Sequence, residues 1–420
     1  MLFAPRHDFF SLDAGALILP NAMEWLREMV GINSFTTNKA GVNRVGSLTA
    51  ECFAQLGFTP EFVPSEHPNH GNHLFLSYGN PDLQPIVLVT HLDTVFSKEE
   101  EEKNNFHWRE EPAERRIYGP GTVDIKGGTA LIWMMVRTLQ LSQSNLFEQH
   151  RWLIAANASE EVIGAEFGQR TAERATTGAK AILVFEGGPR AGEDFHLVTA
   201  RKGRALYRIQ AEGRAAHAGS AHAAGANAIV TLASAVQAAA QVTDYERELT
   251  VNVGCIGGGS VVNRVPQEAW ADLEMRAFDP HVLQDGCRRI ESLACGPATP
   301  SDARLQVDCT GTSPAWPASS SAAAMLEHWR GAAAAMGVGI KNVSRGGLSD
   351  ANYLCHLGPT LDGLGPSGAN AHCSERTEDG TKVPEYVEAD SFVPKATLNL
   401  LALESLLSAQ SPDSFSRFEA

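Results

Sequence analysis

Seven cysteines scattered over 420 residues, with no Cys-x-x-Cys pair, supply neither a disulfide framework nor a thiolate zinc site (Cys52, Cys255, Cys287, Cys295, Cys309, Cys355 and Cys373). An odd, dispersed set reads as reduced thiols, so the expected compartment is the cytoplasm. Basic residues are in deficit: 34 Lys and Arg stand against 49 Asp and Glu, a net charge of -15. Nucleic acid and anionic membrane both demand a basic footprint, so neither is expected as a partner. No apolar run reaches membrane-spanning length. The opening MLFAPRHDFFSLDAGALILP lacks a basic segment followed by an unbroken apolar stretch, so no signal peptide is expected. Internal repeats are missing as well.

What is present is a soluble globular composition, 43% hydrophobic and 20% charged. The length exceeds what one core usually organises, which predicts two domains. Over the first two hundred residues, short apolar runs alternate with helical patterns. Leu74–Tyr78, Pro85–Thr90, Arg151–Ala156 and Ala181–Phe185 read as strands, and Gly128–Arg137 reads as a helix apolar nearly all round. That alternation predicts an α/β domain, a mixed sheet covered by helices. Near residue 204 the texture changes to half-exposed alternating strands (Arg204–Glu212, Leu249–Gly254, Glu268–Arg276) with helices over Ala223–Gln241 and Asp285–Ala294. This β-α-β-β-α order predicts a small α+β, ferredoxin-like domain over 204–312, inserted into a larger domain of 1–203 and 313–420. An Ala-rich helix over Ser319–Met336 resumes the larger domain, and the acidic run Glu99–Glu102 reads as a solvated loop.

Candidate ligands cluster where apolar runs end. His91-Leu-Asp93 follows PIVLVT, Glu160 and Glu161 follow RWLIAANAS, and Glu186 follows AILVF; Asp124 precedes the buried helix in GPGTVDIKGG. Function in open α/β sheets gathers at the carboxyl ends of strands. Imidazole with carboxylates suits zinc, cobalt or manganese. Each group also has a plainer reading. Asp124 could cap a helix, Glu161 could favour a helix start, His91 could be a core histidine and Glu186 a turn residue. Four such coincidences on four elements are harder to accept than one site. Two metals about 3.5–4 Å apart that share a carboxylate need roughly five protein ligands. His91, Asp124, Glu161 and Glu186 supply four, and His372 in the glycine-rich GPSGANAH offers the fifth.

The ordered set HLDTV, GxxD-x-KGG, SEE, the Glu of FEGG and a late glycine-loop His resembles the aminoacylase and glutamate carboxypeptidase family of dinuclear zinc metallopeptidases, glutamate carboxypeptidase most of all. The resemblance runs over nearly the whole chain. It implies two Zn2+ ions, with Co2+ or Mn2+ as possible substitutes, bridged by Asp124. His91 and Glu186 would complete one shell, Glu161 and His372 the other, with Asp93 orienting His91 from the same strand face. Glu160 would be the general base acting on a metal-bridging water. The inserted domain would be a lid that pairs two chains. His217 in GRAAHAG would stabilise the oxyanion across the dimer, Asn263 and Arg276 would hold the substrate carbonyl and carboxylate, and backbone N–H groups at Gly346 and Gly347 would cradle an anion at a helix start.

The implied activity is metal-dependent hydrolysis of an amide beside a free carboxylate. Carboxypeptidase release of an amino acid such as glutamate leads, with N-acyl-amino-acid deacylase and dipeptidase as alternatives. Two readings of other classes remain: a non-catalytic carrier of peptides or amino acids on the same fold, against which Glu160 weighs, and a cysteine hydrolase using Cys373 with His372.

Overall fold

The computed structural model describes residues 12–142, 145–162, 164–192, 194–295 and 303–408. Chain contacts divide it into two compact units. The larger runs to Thr199 and resumes over Ala318–Val343 and from Ser349; the smaller takes in Ala200–Pro317 and Ser344–Leu348. The short return at 344–348 belongs to the smaller unit, whereas the sequence alone assigned it to the larger.

The large unit is organised by a six-stranded mixed sheet, in the order Thr59–Pro64, Asn72–Tyr78, Arg151–Asn157, Pro85–His91, Ala181–Val184, Thr360–Leu361. Its central strands are apolar throughout because helices cover both faces, and every residue of Pro85–His91 is buried. Arg151–Asn157, Pro85–His91 and Ala181–Val184 run parallel, with His91 opposite Asn157 and Val89 opposite Val184. Parallel neighbours end on the same edge, so the chain leaves His91, Glu160, Glu161 and Glu186 together there. The buried helix is longer than its apolar pattern suggests, Lys126–Leu141. It starts tight against the sheet: a Cβ on Gly128 would lie 2.2 Å from the Phe185 carbonyl oxygen. Helices Ser320–Met336 and Phe392–Ser408 join the same core, where buried Trp329 donates its indole N–H to Asn399 Oδ1 at 2.8 Å.

A second, small sheet in this unit orders Gly368–Ala369, Tyr386–Glu388, Arg116–Tyr118 and Arg109–Glu111. It brings the loop that follows Tyr118, carrying Asp124, next to the loop between Ala369 and Tyr386, carrying His372. The acidic run departs from the expectation of a loop. Lys98–Lys103 is a helix, started by Ser97 Oγ accepting the Glu100 N–H at 3.2 Å, with acids in the first turn where the helix dipole favours them.

The smaller unit has an antiparallel sheet ordered Thr250–Gly258, Glu268–Ala277, Gly203–Glu212, Arg304–Ser313. Helices Ala228–Ala240 and Pro280–Glu291 complete a β-α-β-β-α-β sequence. Ala205, Tyr207, Ile209 and Ala211 alternate inward along one strand, Ala269, Ala271, Leu273 and Met275 along its neighbour, and together they form a separate core. The helices begin at caps the apolar pattern did not reveal, Asn227 and Asp279, so each is displaced by about one turn from its expected start.

Candidate metal centre

His91 is the last residue of its strand and fully buried. Its Nδ1 lies 3.0 Å from the backbone carbonyl of Asp93. A carbonyl only accepts, so Nδ1 carries a proton, and Nε2 is the nitrogen turned into the site. Nε2 stands 3.0 Å from Asp124 Oδ1 and 3.8 Å from Glu186 Oε1. The other oxygen of Asp124, Oδ2, lies 3.3 Å from His372 Nε2, which in turn is 3.1 Å from Glu161 Oε2. Asp124 therefore stands between two imidazoles, one oxygen toward each, and each imidazole has its own glutamate.

The adjacent glutamates diverge because Glu160–Val162 is a turn of 3-10 helix, which rotates about 120° per residue. Glu161 meets His372. Glu160 lies on the other side, its carboxylate grouped with His91 and Glu186.

Asp93 reaches further than its expected place beside His91. The strand ends at His91, so the two-residue spacing no longer puts both side chains on one face. The Asp93 carboxylate lies 3.4 Å from Nδ1, farther than its own carbonyl. It also accepts the backbone N–H groups of Glu160 at 3.0 Å and Glu161 at 3.3 Å, and the Thr36 hydroxyl at 2.7 Å. Its main action is to pin the turn that carries both glutamates.

The electrostatics ask for cations. Asp93, Asp124, Glu160, Glu161, Glu186, Asp350 and Glu385 crowd one region, against Lys126 and two imidazoles. Burial raises the carboxyl pKa of Glu160 and Glu161, lifts Asp350 to about 7 and lifts Glu385 to about 8. Burial also opposes the ionised forms of Asp124 and His91, but their mutual hydrogen bond, with those to His372 and Asp93, holds Asp124 below the usual range and His91 well above it. Hydrogen bonds to Asp124 and Glu161 raise His372 to about 10. An excess of desolvated carboxylate around imidazole lone pairs is the donor chemistry of a divalent metal site, and the residues fit one.

Sequence reading missed three supporting residues. Fully buried Lys126 donates to the Ile32 carbonyl at 3.1 Å, and burial lowers it to about 8. Asp350 accepts from Asn157 Nδ2 at 2.8 Å. Glu385 accepts the N–H groups of Val123 and Asp124 at 2.9 and 3.2 Å. The acid that opens Glu385-Tyr-Val, just after the His372 loop, was the available signal.

The remaining expectations lie in the smaller unit or beside His372. His217 Nδ1 accepts the N–H groups of Gly219 and Ser220, both at 3.1 Å, which leaves Nε2 as the protonated, exposed donor. Asn263 sits in an exposed loop and accepts the Ala218 N–H through its backbone carbonyl at 2.9 Å. The Arg276 fork is already engaged by Glu274, at 2.7 and 2.9 Å, and its remaining arm donates to the Gly346 carbonyl at 2.7 Å. The Gly347 carbonyl accepts from Arg201 at 3.0 Å. The helix after these glycines, Ala351–Leu354, is a single turn and lies beyond them, so the anion cradle at a helix start is not formed by Gly346 and Gly347. The cysteine-hydrolase reading fails on geometry: the Cys373 thiol faces the Glu375 carbonyl at 3.7 Å, while His372 Nε2 faces Asp124 and Glu161. The acidic helix Lys98–Lys103 walls a cavity of about 480 Å³ beside His372.

The chain is similar to known peptidases and deacetylases. Residues 199–294 match the M20 peptidase dimerisation domain. The chain is 26% identical over 381 residues to carboxypeptidase G2 of Pseudomonas sp. (strain RS-16), covering 89% of this chain and 88% of that protein. It is 25% identical over 287 residues to acetylornithine deacetylase of Klebsiella pneumoniae (strain 342), covering 64% and 70%. Among solved structures, aminopeptidase PepT from Bacillus cereus shares the fold with a TM-score of 0.75 at 20% identity, over 93% of this chain and 99% of that one. An M20 family metallo-carboxypeptidase from Sulfolobus solfataricus does so with a TM-score of 0.64 at 13% identity, over 92% and 99%. Among the described residues no helix is long and apolar enough to cross a membrane. These matches support the M20 zinc exopeptidase family for this chain, and with it metal-dependent hydrolysis of C–N bonds.

Proposed function

We propose that the chain is a dinuclear zinc amide hydrolase that releases a C-terminal amino acid, such as glutamate, from a peptide or N-acyl conjugate. The observation that carries this reading is Asp124, whose two oxygens face His91 and His372 at 3.0 and 3.3 Å. His91 and Glu186 would hold one ion, His372 and Glu161 the other, and Asp124 both. Ions held there would acidify a water and polarise the scissile carbonyl.

The chain's own residues do the rest. Burial raises the Glu160 carboxyl pKa and so strengthens it as a proton acceptor; in this reading it takes the water's proton and returns it to the leaving nitrogen. Asp93 holds the Glu160–Glu161 turn so that ligand and base keep separate directions. In the smaller unit, His217 Nε2–H is assigned to the developing oxyanion, with Asn263 on the substrate carbonyl and Arg276 on its carboxylate. For that grip Arg276 exchanges Glu274 for substrate. The match to a dimerisation domain supports a homodimer.

The likeness to carboxypeptidase G2 over 89% of the chain favours the carboxypeptidase branch over the deacylase branch. Mass-spectrometric hydrolysis of a mixed panel by the zinc-loaded protein tests the reading. The panel holds C-terminal glutamate conjugates, N-acyl amino acids and unblocked dipeptides. Release of glutamate is expected. Cleavage confined to the acyl amino acids would move the chain to the deacylase branch, and a panel left intact by protein holding two zinc equivalents would favour the carrier reading.

A further inference from the structure

Glu385 is completely buried, yet it is neither a ligand nor within the set of groups assigned to catalysis. Its side chain and its backbone reach in different directions. Oε1 accepts two N–H groups of the loop before the buried helix, Val123 at 2.9 Å and Asp124 at 3.2 Å. The backbone N–H of the same residue donates to the carbonyl of Cys373, the residue after His372, at 2.7 Å. Its carbonyl accepts the N–H of Gly119, at the start of the Asp124 loop, at 3.4 Å. One residue thus ties together the two loops whose side chains must meet, at 3.3 Å, as Asp124 Oδ2 and His372 Nε2.

The Asp124 loop is held on its far side by the helix that opens at Lys126, and the His372 loop by Ser374, which bonds Glu100 and Asn104 at the acidic helix; Glu385 is the residue that joins one loop to the other. The Asp124 loop leaves its strand at Tyr118 and the His372 loop leaves at Ala369, with more than a dozen residues before the return at Tyr386. Asn370 and His372 both take left-handed backbone conformations, with φ of 62° and 67°, which only surrounding contacts sustain. The second oxygen of Glu385, Oε2, is buried without a hydrogen-bond partner. A fully buried carboxyl group with one oxygen unpaired is costly to keep, and what its other oxygen holds here is the Asp124 loop.

Building on the dinuclear reading above, we propose that Glu385 is a positioning residue: it clamps the Asp124 loop to the His372 loop and so sets the spacing of the bridging carboxylate and the second imidazole. It acts through those ligands and touches neither substrate nor metal.

The test uses full-length protein and zinc alone as the probe. Zinc stoichiometry and affinity are measured by chelator competition for wild type, Glu385→Gln, Glu385→Asp and Glu385→Ala, with circular dichroism of each metal-free protein as the fold check. Groups that orient metal ligands typically contribute about 10- to 100-fold in affinity. Glu385→Ala is expected to weaken the zinc equivalent at His372 and Glu161 by about that factor, and the one at His91 and Glu186 by less, because Asp124 serves both but only the His372 side loses both of its tethers. Glu385→Gln keeps an acceptor oxygen at the same reach and is expected to restore most of the loss. Glu385→Asp keeps the charge but withdraws the oxygen by about one C–C bond, roughly 1.5 Å, and is expected to resemble Glu385→Ala. It carries the test by itself if Glu385→Ala does not fold.

Wild-type zinc affinity in a folded Glu385→Ala or Glu385→Asp variant would overturn the proposal, as would an equal loss at both sites with no rescue by Gln. Failure of the dinuclear reading looks different, because wild type itself would then bind fewer than two equivalents.

Discussion

Replacing Glu160 by Gln separates two roles that the geometry places close together. Its carboxylate is grouped with His91 and Glu186, close enough to serve as a metal ligand, although we assign it to the proton transfers. Gln has nearly the same size and keeps a carbonyl oxygen, so the 3-10 turn held by Asp93 should persist. A positioned general base contributes about 10²–10⁴-fold to rate. At about 1.36 kcal/mol per decade, this is about 2.7–5.4 kcal/mol of barrier. Two features of this site point to the upper half of that range. Glu160 is only 7% exposed, and burial raises its pKa, which makes it a stronger base. We therefore expect kcat at saturating substrate to fall by about 10³–10⁴-fold, with KM changed by less than about threefold. Zinc measured by plasma mass spectrometry after dialysis should remain at two equivalents. Loss of one equivalent would make Glu160 a ligand, and a kcat within tenfold of wild type would refute its role as base.

Stability should respond to pH in opposite directions with and without metal. Asp350 at about 7, Glu385 at about 8 and His372 at about 10 all have folded-state pKa values above their unfolded ones. For raised groups the stability is present below the unfolded pKa and is lost as pH climbs through the folded value. The Tm of chelator-stripped protein should therefore fall between about pH 6 and about pH 9. Zinc needs the deprotonated carboxylates, so its stabilising increment should grow over the same interval, and a stripped protein that gains Tm with pH would contradict the site's electrostatics. His217→Ala should lower kcat by about 10²–10³-fold with zinc content and Tm unchanged, measured on the dimer; unaltered kcat would remove it from the oxyanion role.

The parallel edge and its acids were legible because they depend on local sequence. Apolar runs of strand length that end in His, Asp or Glu declare both the strand and the place where it stops, and parallel packing leaves those ends on one side. The small unit's alternating strands were readable for the same reason, period-two burial. Helix starts were less so, since Asn227 and Asp279 sit outside the apolar pattern they cap.

The sequence by itself determined which residue types line the metal site and the order in which the chain delivers them. Tertiary structure alone decided how those groups are held. Asp93, beside His91, also came to hold the Glu160–Glu161 turn, a contact across 67 residues. Glu385 became a clamp because a four-stranded sheet folds residues about 260 positions apart against each other. Such contacts depend on distances through space, and spacing along a chain carries no record of them.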